Sequence, residues 1–73
     1  MKPFLDQMRE FDDKRRQARI TDEELALEAS VPCSTISRYR HGRQQPTVDK
    51  WIEMNLALDR LITQRVQRLM GLG

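Results

Sequence analysis

A three-residue break at positions 30–32 (Ser-Val-Pro) separates two short helical patterns and limits how this chain folds. Pro32 has no backbone N–H and disfavours the helical conformation at the residue before it, yet proline is well tolerated where a helix begins. Upstream, Thr21 and Glu24 have the spacing of a capping box, in which each side chain satisfies the other residue's backbone N–H. We therefore predict two short helices joined by a tight turn within residues 21–42.

The second of these helices, Cys33 to His41, has a one-sided pattern, and Gly42 is well placed to end it. Apart from Tyr39, only Ile36 is strongly apolar, so Ile36 marks the buried side. At about 100° per residue, small hydroxyls, an arginine and a histidine face away from Ile36 or flank that face: Ser34, Thr35, Ser37, Arg38 and His41. No carboxylate lies between Ser30 and Val48.

Short hydroxyl donors and an arginine on a protruding helix suit hydrogen bonding to base edges in the major groove of DNA. We therefore expect four residues of this helix to read bases: Ser34, Thr35, Ser37 and Arg38. An ordinary solvated helix in a bundle is the alternative.

A further pattern extends through the helix pair and the loop after it: Leu25, Ala26, Ala29, Val31, residues 34–39 (Ser-Thr-Ile-Ser-Arg-Tyr), Gly42 and Pro46. This pattern resembles the helix-turn-helix of lambda-repressor and Cro-type DNA-binding proteins over roughly Phe4 to Leu58. In that family the first helix supports the second, which enters the major groove. The resemblance implies a small phage or mobile-element repressor or activator that binds a palindromic operator in double-stranded DNA as a dimer. Ser30 and Pro32 depart from it, because the family usually has Gly and a Ser or Thr cap there.

The loop after Gly42 is polar and contains no acid, and the resemblance implies that this segment contacts the DNA backbone. Arginine, glutamine amides and backbone N–H groups all donate hydrogen bonds to phosphate oxygens. The expected phosphate contacts are Arg40, His41, Arg43, Gln44, Gln45 and Lys50. A plain connector is the alternative for the loop.

The charge distribution agrees with this interpretation. The 73 residues carry a net charge of only +2. Residues 1–29 hold six Lys/Arg against eight Asp/Glu, for −2, whereas residues 30–50 hold four against one, for +3, and residues 51–73 add +1. The positive stretch thus coincides with the expected reading helix and the loop after it, as an electrostatic footprint on phosphate should.

Composition predicts one small globular domain without an enzymatic site. The single cysteine, Cys33, excludes an internal disulfide and fits a reducing cytoplasm. One histidine, no zinc-type spacing and no glycine-rich phosphate loop argue against catalysis, a metal or a cofactor. No apolar run approaches the roughly 20 residues of a membrane span, and no signal-peptide hydrophobic region follows the first residues. For Cys33 we consider packing, a base-edge contact and a redox role.

Upstream of the pair, an apolar stripe predicts a first helix over about residues 3–18. Residues 12–16 (Asp-Asp-Lys-Arg-Arg) interrupt the stripe, so either its register shifts or the helix stops early. The basic cluster formed by Lys14, Arg15, Arg16 and Arg19 either contacts phosphate or pairs with neighbouring acids on a solvated face.

Downstream, Thr47 caps a helix expected over about residues 47–58 and continuing without a break to about residue 70. Trp51 is expected in the core rather than as a platform for stacking bases. We predict homodimerisation through the last turns, at Leu58, Leu61, Ile62, Val66 and Leu69, or docking on another protein, as in an antitoxin-like module. A helix-turn-helix used only as an interaction scaffold is a further alternative. The expected fold class is all-α, a small helix-turn-helix bundle of four to five helices with an extended C-terminal helix.

Overall fold

A computed structural model describes residues 2–71, and these form four α-helices. The helices are α1 Phe4–Gln17, α2 Asp22–Ala29, α3 Cys33–Arg40 and α4 Val48–Leu69. The described residues contain no β-strand. The all-α class and the extended last helix are thus confirmed. None of the four helices is both long enough and apolar enough to cross a bilayer.

Local hydrogen bonds define the start of α2, and a left-handed residue defines its end. The Thr21 hydroxyl accepts from the backbone N–H of Glu24, and Glu24 accepts from that of Thr21, both at 3.1 Å, which completes the predicted capping box. Ser30 ends α2 in the left-handed region with φ 56°. That conformation is uncommon for a residue with a Cβ, and here it redirects the chain within three residues into α3.

The core lies where α4 packs on α2 and where α3 packs on both α1 and α2. Its fully buried large side chains are Met8, Ile20, Leu25, Ile36, Met54 and Leu58. Ile36 has no exposed surface, and Tyr39 is also buried. Because these two residues hold one side of α3 against the core, the opposite side of α3 faces solvent.

Aromatic rings fix the start of α4 against α1. The half-buried indole of Trp51 lies 5.2 Å from the Phe4 ring and 5.2 Å from the Phe11 ring, measured between centroids. Such tilted and edge-to-face pairs are favourable beyond the area that they bury. Trp51 therefore packs against the core, as expected.

The charged stretch at residues 12–16 neither ends α1 nor shifts its register, so both alternatives drawn from the sequence are wrong. Helix α1 continues to Gln17, and Asp12 points inward with only 5% of its surface exposed. A carboxylate can occupy such a position only when charged or hydrogen-bonding partners compensate for its lost hydration. Its partners are described with the candidate site.

The second half of α4 belongs partly to the core of this chain. Leu58 and Leu61 are 1% and 9% exposed, so neither can meet a second copy, and the expected dimer set is corrected accordingly. Arg65 pairs with Glu24 of α2 at 2.6 Å, which braces this part of the helix. Ile62 is half-buried, whereas Val66 and Leu69 are 48% and 88% exposed.

Replacing Ile36 by alanine should destabilise the domain by about 2–5 kcal/mol, because the cavity left at a fully buried site loses both transfer and packing energy. Urea unfolding followed by circular dichroism measures the change. Ile52→Ala, at a position that is 52% exposed in α4, is the matched control and should cost far less. Equal costs for the two variants would contradict the orientation of α3 described here.

Candidate nucleic-acid interface

The outward side of α3 carries the residues that the sequence predicted to read bases. Ser34 and Arg38 are exposed, and Thr35 and Ser37 are half-buried on the two flanks. The burial of Ile36 and Tyr39 produces this division, because a helix turns about 100° per residue. The four side chains therefore form one face of hydroxyls and a guanidinium, which we call the α3 face.

Hydrogen bonds at the end of α3 bring His41 and Arg43 beside the α3 face. The Nδ1 atom of His41 lies 2.9 Å from the carbonyl oxygen of Ser37, within hydrogen-bond distance. Gly42 then takes a left-handed φ of 72°, and the N–H of Arg43 donates to the carbonyl of Arg38 at 2.9 Å. The loop thus reverses direction at the end of α3, and His41 and Arg43 remain exposed there.

Helix α1 approaches this same end of α3. A Cβ built on Gly42 would lie 2.9 Å from Cδ2 of Leu5, closer than real side chains come to each other. The first turn of α1 therefore rests on the turn that follows α3, and glycine permits both the close approach and the positive φ.

Arg40 does not contribute a free guanidinium to the surface, which corrects its expected role as a phosphate contact. Its Nη2 and Nη1 atoms donate to the two carboxylate oxygens of Asp22 at 2.7 and 3.2 Å. Nη2 also lies 3.0 Å from Oδ1 of the buried Asp12. Because both carboxylates hold it, Arg40 fastens the end of α3 to α1 and α2.

The ion pair between Arg40 and Asp22 also shifts the pKa of both residues. The hydrogen bond from Arg40 lowers the pKa of Asp22 below its ordinary value, although burial opposes part of the change. The same hydrogen bond raises the pKa of Arg40. Both shifts favour the charged forms and hence the ion pair.

Most of the basic cluster in α1 serves the fold. Arg15 donates from Nε to Asp12 at 3.0 Å and from Nη1 to the carbonyl of Ile20 at 2.7 Å, and Arg16 lies 2.9 Å from Oδ2 of Asp12. Lys14 pairs with Asp59 of α4 at 2.6 Å. The alternative of pairing with acids therefore holds for these three residues.

The remaining expected phosphate contacts lie along the loop and the start of α4. Gln44 and Gln45 are exposed, whereas Lys50 is half-buried and lies 3.3 Å from Glu53 in an ion pair. An exposed pair of this kind contributes little free energy, so Lys50 exchanges partners easily. The loop presents mainly amides and the guanidinium of Arg43.

The pairing divides the arginines into two groups. Five make no ion pair or side-chain hydrogen bond with any of residues 2–71: Arg9, Arg19, Arg38, Arg43 and Arg68. Arg38 lies on the α3 face and Arg43 directly after it. Arg9, which the sequence pattern did not single out, lines a cleft together with His41. Unpaired guanidinium groups therefore lie on the α3 face, in the loop after it and in the cleft at its C-terminal end.

Over residues 2–71, no group of three or more His, Cys, Asp and Glu side chains is arranged to hold a metal ion. Cys33 is a free, exposed thiol in the first turn of α3. It does not pack in the core, so of its three expected roles packing is excluded.

No protein-family model, curated protein or solved structure matches this chain. The resemblance to lambda-repressor and Cro-type proteins therefore rests on the residues of the helix pair alone.

Replacing Asp22 by asparagine should lower the free energy of unfolding at pH 7 by up to about 1 kcal/mol, because a partly exposed ion pair is lost. Arg40 lowers the pKa of Asp22 in the folded chain, so this stabilisation is present above the pKa of the unfolded chain and disappears as the pH falls through the folded value. The gap between wild type and Asp22→Asn in urea titrations should therefore shrink as the pH falls below about 4.

Asp13→Asn is the control for this pH series, since Asp13 is exposed and pairs with none of residues 2–71. It should leave the stability nearly unchanged at every pH. A gap between wild type and Asp22→Asn that does not change with pH would show that the carboxylate acts through packing and not through its charge.

Proposed function

We propose that this protein is a sequence-specific regulator of transcription that binds double-stranded DNA with the α3 face in the major groove. One observation carries the proposal: Arg38 on the α3 face, Arg43 in the loop after it and Arg9 in the cleft beside His41 are unpaired among residues 2–71, while Arg15, Arg16 and Arg40 are held in ion pairs. Unpaired guanidinium groups are available to an anionic polymer without first breaking internal contacts.

In this proposal base reading and backbone contact are separate. Arg38 projects from the α3 face, and its guanidinium matches the O6 and N7 atoms of guanine. Ser34, Thr35 and Ser37, whose side chains are shorter, donate hydrogen bonds to neighbouring bases. Arg43, His41, Gln44 and Gln45 donate to phosphates, with Lys50 at the margin, and these contacts set the docking angle without reading sequence.

The proposal assigns the protein no reaction, cofactor or metal. It acts in the cytoplasm of a bacterial or phage-infected cell, where a reducing environment keeps the exposed Cys33 thiol unoxidised. A repressor or Cro-like protein acts by occupying its operator, which sterically blocks other proteins from the same DNA.

We further propose that the protein binds a palindromic operator as a homodimer through the end of α4. One reading helix covers few base pairs, and two-fold dimers with half-sites about one helical turn apart extend the contact. The exposed side chains of Val66 and Leu69, together with Ala18 and Ile62, border an apolar groove at this end of the domain. A second copy would cover that surface, whereas Leu58 and Leu61 stay in the core.

Arg38→Ala should weaken binding to the preferred duplex by about 1–3 kcal/mol and relax selection at one base pair, because one bidentate base contact is lost. Binding sites selected from a random duplex pool provide the preferred sequence, and fluorescence anisotropy measures the affinity.

Arg43→Ala is the comparison variant for base reading. It should weaken every duplex alike and reduce the slope of log affinity against log salt by about one unit. A uniform loss for Arg38→Ala would make Arg38 a phosphate contact, and an absence of any duplex binding by the wild type would overturn the proposed function.

The double variant Val66→Glu with Leu69→Glu should convert a wild-type dimer into a helical monomer, since both changed positions are exposed. Light scattering at tens of micromolar protein and circular dichroism measure mass and helix content. A wild-type monomer would contradict homodimerisation. A wild-type monomer that forms a stable complex with a different protein would favour the antitoxin-like alternative instead.

A further inference from the structure

A cleft of about 360 Å³ separates the middle of α1 from the C-terminal end of α3. Its walls carry Arg9 and Arg16 from α1, Arg40 from the end of α3, and His41, which directly follows α3. Leu5, which rests on Gly42, closes one end. The cleft thus gathers three guanidinium groups and the only imidazole of the chain around one opening.

The cleft adjoins the α3 face. His41 projects on the same side of α3 as Ser34, because seven residues make nearly two complete helical turns. His41 also lines the cleft, so the side chain belongs to both surfaces. A DNA backbone that runs past the C-terminal end of the α3 face therefore passes the mouth of the cleft.

The electrostatics of the cleft favour an anion. Asp12 is the one carboxylate in its wall, and Arg15, Arg16 and Arg40 all pair with it. An incoming anion therefore meets a neutralised acid. Arg16 remains 65% exposed while it contacts Asp12, and Arg9 is unpaired among residues 2–71. Arg9 is thus directly available to a ligand, and the exposed part of Arg16 can contact one while its ion pair with Asp12 stays in place.

The imidazole of His41 is held in a suitable position. Its Nδ1 atom lies 2.9 Å from the carbonyl oxygen of Ser37, to which it can donate, and Nε2 then remains for a ligand. In the protonated ring Nε2 is a donor as well, so it can hydrogen-bond to an anionic oxygen.

We propose that this α1–α3 cleft is a phosphate-binding site in which Arg9 is the principal donor, assisted by Arg16 and His41, and that a DNA backbone phosphate beside the α3 face occupies it. The inference rests on the proposed function for the source of the phosphate. Helix α1 thereby becomes part of the DNA interface, and both Arg9 and Arg43 contact the DNA backbone near the C-terminal end of α3.

The test compares Arg9→Gln with Arg60→Gln. Each change removes one positive charge from an exposed position, but Arg60 lies near the middle of α4, pairs with Glu28 and lines neither the cleft nor the groove at the end of α4. Fluorescence anisotropy with the selected duplex and a scrambled duplex, over a series of salt concentrations, measures affinity and its salt slope. We expect Arg9→Gln to reduce the slope by about one unit and to weaken both duplexes by the same factor. Arg60→Gln should leave the slope unchanged.

Titration of ¹⁵N-labelled protein with inorganic phosphate, followed by NMR, examines the cleft without DNA. Chloride at matched ionic strength is the reference. We expect phosphate to shift the Arg9 Nε–H and His41 signals of the wild type, and the His41 shift to be lost in Arg9→Gln. Unchanged melting of Arg9→Gln by circular dichroism excludes loss of folding as the cause.

The outcomes separate this inference from the proposed function. An unchanged slope together with no phosphate-induced shift overturns the cleft as a phosphate site, even if the wild type binds DNA. An unchanged slope with a clear shift at Arg9 supports the phosphate site and overturns DNA as its source. If the wild type binds no duplex at all, the proposed function fails, and the NMR titration alone supports or overturns the phosphate site.

Discussion

The buried carboxylate of Asp12 is the charge on which the arrangement of the first three helices depends. It lies in α1 with 5% of its surface exposed, and it holds Arg15, Arg16 and Arg40. An unpaired charge at such depth would cost several kcal/mol, so the arrangement is stable only while the arginines remain in place. Since Arg40 also binds Asp22, the last residue of α3 is tied to both α1 and α2, which fixes the direction of the α3 face.

This network explains how a chain with a net charge of only +2 can present a positive surface beside one helix. The acids of α1 and α2 take up the basic side chains that stabilise the fold, including Arg15, Arg40 and Arg65. The arginines left without partners among residues 2–71 include Arg9, Arg38 and Arg43, which lie on or beside the outward side of α3. The unpaired charges, and not the net charge of the chain, define the surface that is proposed to contact DNA.

Helix α4 combines two environments along its 22 residues. Met54, Ala57, Leu58 and Leu61 complete the core, and the Arg65–Glu24 pair holds the helix against the capping box of α2. Beyond that pair the apolar side chains of Val66 and Leu69 are 48% and 88% exposed among the described residues. The boundary between core and surface therefore falls within one uninterrupted helix, near Arg65.

The sequence alone determined the features that depend on residues within about four positions of one another. The capping box of Thr21 and Glu24, the start of α3 after Pro32, the positive φ of Gly42 and the burial of Ile36 all follow from local hydrogen bonding and helical period.

The tertiary structure decided which charges are used internally and which apolar residues are covered. Arg40 pairs with Asp12, which is 28 residues away in the sequence, and with Asp22, which is 18 residues away. Leu58 and Leu61 pack in a core to which the other helices contribute. Arg9 joins His41 in one cleft only because α1 folds back on the end of α3. No periodic pattern encodes such pairings, because they depend on how whole helices pack.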